Sequence, residues 1–451
     1  MSSAHNIVIV GGGFAGTALA RCLERRLPGG HRIVLISEES YTTFNPMLAE
    51  VVGASVFPEH AVAPIRQMLR AGDASQFIMG RVTALDFERR HVQALTLAGN
   101  REIDYQHLVL AFGSRANLDL VPGMAQHALP LKLVGDAMFI RNRVLQRIAR
   151  IELETDPEAR RRMGHFIVIG GGFSGVEVAG ALADFLDGAA RYYPRVRTQE
   201  LKVTLLENGD RLLPDLPRSL GQAAARSMRS RQIDVRLNSR AARIDADGVM
   251  LGDGEVLAGA TVICTIGTRP NPLIERLKLP LQRGRIVTAP DLSVAGLPGV
   301  WAIGDCALVR NGLTQQAAPP TAQFAVAQAN ALAHNIVAWG QGRATREFRH
   351  KSTGMMATTG HQKGVAQLFG LRLHGLPAWL LWRAYYLLLM PTLGRKVRIW
   401  LEWTWSMFFA ADITHLRFTR SIEADAPEPR AAVEPGSRSQ PQPQLQEKFH
   451  A

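Results

Sequence analysis

Cysteine is scarce in this 451-residue chain: Cys22, Cys264 and Cys306 are the whole set. Three thiols make no dense disulfide framework, and no CxxC or CxxH spacing offers a zinc or dithiol redox site. Long apolar runs are missing too. No stretch reaches the roughly 18 to 20 uninterrupted apolar residues of a spanning helix, which excludes a polytopic membrane protein and leaves a peripheral one open. The amino terminus lacks the pattern of a cleavable leader, because Gly11 to Gly13 interrupt its apolar run after four residues. Acidic residues are outnumbered, 39 against 52 Lys and Arg, for a net charge of +13. Such a surface expects an anionic partner: nucleic acid, anionic lipid or a phosphate-bearing cofactor. Nucleic acid finds no supporting motif, with no zinc spacing, RNP-like aromatic stretch or recognition helix.

What is present is a repeated unit. The buried-strand run Ile7 to Val10 is followed by glycines, a helical stretch from about Ala15 to Leu27, and a second strand, Arg32 to Ile36. The order recurs at Phe166 to Ile169, Gly170 to Gly172, a helix through Asp184, and a strand from Leu201 to Leu206. In the first copy Gly11, Gly13 and Gly16 stand in G-x-G-x-x-G spacing between strand and helix, with Phe14 and Ala15 in the loop. The first glycine permits the tight turn and the second lets a pyrophosphate reach the backbone. The third packs helix on strand, and the helix amino terminus supplies free N–H groups and a positive dipole end. Glu38, followed by Glu39, is placed to accept from an adenosine ribose. Gly170, Gly172 and Gly175 repeat the spacing around Phe173 and Ser174, and Glu207 closes the next strand in the role of Glu38. Two cradles imply two bound dinucleotides. A carboxylate at each strand end suits free ribose hydroxyls and repels a 2′-phosphate, although Arg211 is close enough in sequence to soften that preference.

Between the cradles runs an arginine-rich, helix-like segment, Asp136 to Arg162, which reads as solvated faces and helix termini. Towards the carboxy terminus five of the seven tryptophans, Trp379, Trp382, Trp400, Trp403 and Trp405, fall within 27 residues. From Arg395 to Asp412 the residues Arg395, Arg398, Glu402 and Ser406 recur as one narrow polar stripe on an otherwise apolar helix, the geometry of a helix lying in a membrane surface. Packing on the protein core, or a homodimer interface, is the alternative. Pro, Gln, Glu and Ala dominate after Ile422, which reads as a disordered tail.

The two cradles resemble the two-dinucleotide flavoprotein superfamily, which binds FAD in one Rossmann-like domain and a nicotinamide nucleotide in a second inserted within it. LVLAFGSRAN (Leu108 to Asn117, with Ala111, Gly113 and Ser114) and TVICTIGTRPN (Thr261 to Asn271, with Gly267) resemble its crossovers between domains. VWAIGDCA, with Gly304 and Asp305, is similar to its second FAD motif. No redox cysteine pair follows the first glycine loop. SYTTFNPMLAEVVG, with Asn45 and Pro46, resembles instead a stretch of the type II NADH:quinone oxidoreductases. APPTAQFAVAQA, with Thr321, Ala322 and Gln323, resembles the helix start that lies beside flavin and quinone there, and GVEVAG carries Glu177. The second glutamine of that helix pattern falls on Ala327, with Gln328 one place later.

The resemblance implies an α/β fold with an FAD-binding domain at 1–114 and 268–340, an inserted NAD(P)H-binding domain at 115–267, and a membrane-associating helical region at 341–420. It implies FAD and NADH as cofactors and a membrane quinone as acceptor. Gln323 would bond the quinone or the flavin edge, and Glu177 would position nicotinamide or relay protons. By itself Glu177 reads as an exposed helix carboxylate. Cys306, lacking a partner, reads as a packing thiol. The implied enzyme sits peripherally on the cytoplasmic face of a bacterial-type inner membrane and moves two electrons without pumping protons. A related flavoprotein with a sulfide:quinone or ferredoxin-type acceptor chemistry, and a membrane-bound flavin redox sensor, are the competing readings.

Overall fold

A computed structural model describes residues 5–416 except 28, 71 and 73; the sequence after Ile422 lies outside the described residues. The first strand, β1 (His5–Val10), is completely apolar from Ile7 onward and runs between two parallel neighbours. It leads through the glycine turn into α1 (Phe14–Leu23) and β2 (His31–Ser37), followed by the long β3 (Ser75–Asp86). An antiparallel ribbon, β4 (His91–Thr96) and β5 (Gly99–Asp104), precedes β6 (His107–Leu110).

The chain then crosses to a second sheet through β7 (Ala128–Pro130) and α2 (Val134–Leu153). The second strand-helix-strand unit is β8 (His165–Ile169), α3 (Phe173–Ala190) and β9 (Lys202–Leu206), extended by β10 (Asp234–Arg236) and β11 (Thr261–Cys264). Their order is β7-β11-β8-β9-β10, all parallel. After it, β12 (Val300–Ala302) returns to pair with β6 in the first sheet, whose order is β12-β6-β1-β2-β3-β4-β5. A sheet interrupted by a complete second sheet, then resumed, is the layout of one nucleotide-binding unit inserted in another.

Strands buried on both faces carry continuous Val, Ile and Leu, as in Ile33 to Ile36 and Phe166 to Ile169, so the parallel part of each sheet holds its own core. The arginine-rich segment differs from its expected solvated faces. Arg141 and Arg147 are 5% exposed, and Arg147 Nη2 donates to the carbonyl of Ala260 at 3.1 Å. The segment also breaks. Asp156 caps a new short helix, Pro157–Met163, by accepting from Glu158 N and Ala159 N, because Pro157 cannot continue α2 but suits a first helical turn.

Helix α4 (Ala322–Gly340) packs against α1 and the Gly304–Cys306 turn. It is followed by a three-stranded antiparallel sheet of β13 (Gly354–Gly360), β14 (Lys363–Leu368) and β15 (Leu371–His374), then α5 (Leu376–Leu389) and α6 (Leu393–Trp405). Two residues of the α6 polar stripe, Arg395 and Glu402, turn towards the protein, while Arg398 stays exposed. Glu402 accepts from Phe57 N at 3.4 Å and pairs with His60 Nδ1 at 2.5 Å, while Arg395 donates to the carbonyl of Glu59. The helix ends at Trp405, short of the expected Asp412. The tryptophans divide: Trp379, Trp382 and Trp403 are buried, whereas Trp400 and Trp405 are 53% and 62% exposed. No described helix is long and apolar enough to cross a membrane. Chain contacts join the described residues up to Ile413 in one unit; beyond it residues 414–416 are described and carry no helix or strand.

Candidate active site

The first cradle is built by exclusion. Gly11 has φ +120°, and a Cβ there would meet the Ala111 carbonyl oxygen at 2.1 Å, so β1 and β6 approach as closely as only glycine permits. At Gly13 a Cβ would meet nothing within 4 Å. The turn therefore carries a glycine that packing does not require, facing open space at the start of α1, as a pyrophosphate needs. Thr42 steadies the loop, its Oγ1 donating to the Gly12 carbonyl at 2.6 Å. Gly172 repeats the open space of Gly13 at the start of α3.

One cavity of about 2100 Å³ runs away from Gly11 and Gly13. It brings together Phe14, Ala15, Glu38, Glu39, Asn45, Pro46, Ala111, Gly113, Ser114, Phe173, Ser174, Glu177, Gly304, Asp305, Thr321, Ala322 and Gln323. Gly16 lies beneath, packed on the carbonyl of Gly11. Gly170, Gly172, Gly175 and Glu207 stand apart from this cavity, and Gly267 lines a smaller one of about 120 Å³. Glu177 lines both.

The two carboxylates expected to face ribose are already engaged. Glu38 pairs with Arg115 at 2.8 Å and Arg81 at 3.5 Å, which lowers the negative charge expected at this end of the cavity. Glu207 accepts from the backbone N–H of Gly171 and of Gly209, each at 2.6 Å, closing its own turn. Arg211 donates to Pro214 O. At the middle of the cavity Asp305 accepts from Ser114 Oγ at 3.0 Å, and Ser114 in turn accepts from Lys132 Nζ at 3.1 Å. A cation one residue removed from a carboxylate is a feature that the sequence motifs did not single out.

Thr321 caps α4, its hydroxyl accepting from Phe324 N, so the positive end of a 19-residue helix opens onto the cavity. Gln323 in its first turn bonds Thr353 and accepts from Ser352 Oγ at 3.1 Å. Ala327 lines the cavity, whereas Gln328 is buried and accepts from Gly304 N at 2.7 Å. The shifted glutamine thus braces the Gly304–Asp305 turn and leaves a small residue at the wall.

Glu177 differs from the exposed carboxylate of the isolated sequence reading: it is 7% exposed. Its Oε1 accepts from Trp382 Nε1 at 2.9 Å and Thr358 N at 3.3 Å. Burial pushes its pKa up to about 8, with the two donors pulling the other way. Cys306 is buried, donating towards Ile303 O and Leu110 O, and burial lifts its thiol to about 12, which suits packing rather than redox work.

Residues 5–329 match the pyridine nucleotide-disulphide oxidoreductase family. The type II NADH:quinone oxidoreductase Ndh of Mycobacterium tuberculosis is 30% identical over 416 residues, 89% of this chain and 87% of that protein. The chain belongs to the pyridine nucleotide-disulphide oxidoreductases, within the type II branch. A demethylphylloquinone reductase of Synechocystis is also 30% identical, over 405 residues that cover 88% of this chain and 95% of its own. NDH2 of Plasmodium falciparum, solved in complex with NADH, shares the fold with a TM-score of 0.84 at 19% identity, over 91% of this chain and all of that one.

Proposed function

We propose that this chain is an FAD-dependent NADH:quinone oxidoreductase that works at a membrane surface. One observation carries the reading: the cavity that begins at Gly11 and Gly13 continues past Glu177 and Gln323 to Tyr385, Tyr386, Leu389 and Pro391 of the α5 region. The flavin cradle and the apolar end of α5 open onto the same space, and Phe173 and Ser174 at the start of α3 bring the second cradle to its wall, so a water-soluble donor and a lipid-soluble acceptor can meet at one centre. The residues fit a bound flavin dinucleotide, given the open space at Gly13, the α1 and α4 amino termini and the length of the cavity. When bound, the flavin supplies hydride acceptance from nicotinamide and electron delivery to quinone.

The chain supplies the rest. Gly11 and Gly13 with the start of α1 hold the pyrophosphate; Asp305 and Ser114 hold the ribityl side; Gly170, Gly172 and Gly175 hold the nicotinamide nucleotide. The amino terminus of α4 favours negative charge at the ring. Gln323 donates to a quinone carbonyl. Glu177, protonated near neutral pH and open to both cavities, holds a proton for a reaction that consumes two. Lipid contact falls to the outer faces of α5 and α6, where Leu376, Leu380, Leu388, Leu393, Val397, Trp400, Leu401 and Trp405 are exposed. Arg398 and Arg372 flank them and favour an anionic leaflet, on the cytoplasmic side in a bacterial cell.

Steady-state turnover with NADH and a short-chain quinone tests this. Gln323→Ala should raise the quinone KM about 3- to 10-fold, the weight of one neutral hydrogen bond, with the NADH KM unchanged. A quinone KM that does not move removes Gln323 from the acceptor site.

A further inference from the structure

Trp382 lies in the middle of α5, 1% exposed. Its indole N–H is a lone donor that cannot accept, and it is spent on Glu177 Oε1 at 2.9 Å. The second donor to that oxygen, Thr358 N, comes from β13. Two elements remote in sequence from α3 thus converge on one carboxyl oxygen and fix its rotamer. The indole is itself held. Tyr386 packs edge-on at 4.8 Å between ring centroids and Trp403 of α6 lies at 5.9 Å.

The charges around Glu177 leave this bond without a rival. Glu50, on the short helix Leu48–Val52, adds like charge, and Tyr386 on α5 is kept protonated by burial. Lys132 lines the small cavity with Glu177 but donates to Ser114. Arg383, the residue after Trp382, turns away. Its guanidinium lies 3.7 Å from the Trp379 ring centre, and its Nη1 donates to Trp403 O at 3.2 Å. Among the described residues Glu177 forms no ion pair.

We infer that Trp382 is a positioning residue for Glu177: its N–H fixes where the carboxyl points and favours the charged form, so the carboxy-terminal helix pair completes the site. The inference rests on the proposed proton-handling role of Glu177. An N–H donor binds a carboxylate more strongly than a neutral acid, so its removal shifts the titration of Glu177 upward by about one pH unit. Docking of α5 against α3 and β13 then becomes a condition for a correctly held proton.

The test uses the full-length, flavin-loaded protein as wild type, W382F, E177Q and the double variant. Melting temperature is measured from pH 5 to 10, together with the pH profile of kcat. In W382F the midpoint of the pH-dependent melting change should move up about one unit, and kcat should move with it at unchanged NADH KM. The shift should vanish in the E177Q background. A W382F midpoint equal to that of wild type, or the same shift with Glu177 absent, overturns the inference. Should W382F melt too early for a pH series, replacing Trp382 with 3-benzothienylalanine keeps the ring size and removes only the N–H, with the same outcomes read. If E177Q leaves the kcat profile unchanged, the proton-handling reading of Glu177 fails, and the melting series still decides whether Trp382 tunes the carboxyl.

Discussion

Gly13→Val separates folding from cofactor binding in a single substitution. Gly13 sits at φ −79°, ψ −169°, extended backbone open to any residue, and a Cβ there meets no protein atom within 4 Å. The folded protein without flavin should therefore lose only about 1 kcal/mol, the cost of a valine in place of glycine at the amino-terminal cap of α1. The valine methyls, however, occupy the space in which a pyrophosphate would lie against the amides at the start of α1. Losing two such charge-assisted hydrogen bonds costs about 3–6 kcal/mol, or roughly 10²- to 10⁴-fold in flavin affinity. The assay is flavin released per protein on denaturation, beside the melting temperature of the flavin-free form. Gly11→Ala is the contrast. There the positive φ and the Ala111 carbonyl at 2.1 Å from the new Cβ require β1 and β6 to separate, so stability itself falls. A Gly13→Val protein that purifies with full flavin occupancy would refute the placement of the pyrophosphate; one that fails to fold would refute the claim that the glycine is free of packing.

Gly172→Val, with the same open space, should keep its flavin yet slow reduction by NADH at least 100-fold at fixed concentration, measured by flavin bleaching. Glu177→Gln should change how stability depends on pH. The folded-state carboxyl titrates near 8 and the unfolded one near 4.5, so its stabilising contribution is complete below pH 4.5 and is lost as pH rises through 8. Relative to the glutamine variant the wild type should lose up to about 5 kcal/mol across that window, and parallel melting curves would contradict the burial account. Trp400→Glu with Trp405→Glu should release the protein from anionic vesicles in a flotation assay. Each exposed indole contributes about 3 kcal/mol if it enters the interface, and turnover with a water-soluble quinone should persist.

Much of this was legible in sequence because glycine spacing and apolar strands are local signals. The runs Ile7–Val10 and Phe166–Ile169 could only be buried parallel strands, and G-x-G-x-x-G between strand and helix dictated the turns. Features that depend on distant partners were hidden. Glu177 reads as an exposed helix residue until β13 and α5 cover it, 181 and 205 positions along the chain. Glu38 and Glu207 occupy the expected strand ends, but their partners, Arg115 and the amides of Gly171 and Gly209, come from folding rather than from motif. Arg141 and Arg147 counted as surface charges because composition weighs charge and cannot see the sheet that buries the stems. On α6 the stripe divides: Arg395 and Glu402 turn to the loop at Phe57 to His60 and Arg398 stays exposed, a split that only the partner residues reveal. The displaced Gln328 carried the one usable hint, since a glutamine out of register on a helix turns to another face, here onto Gly304 N.

The central claim is that one cavity shaped to hold a flavin joins an NADH site to a quinone site, and anaerobic stopped-flow tests it most directly. Purified, flavin-loaded protein is mixed with NADH, and a short-chain quinone follows in a second mix. The account predicts rapid bleaching of the flavin by NADH and recovery of its colour by quinone within the turnover time. A flavin that bleaches but stays reduced in the presence of quinone would contradict the acceptor and the role given to the α5 end of the cavity.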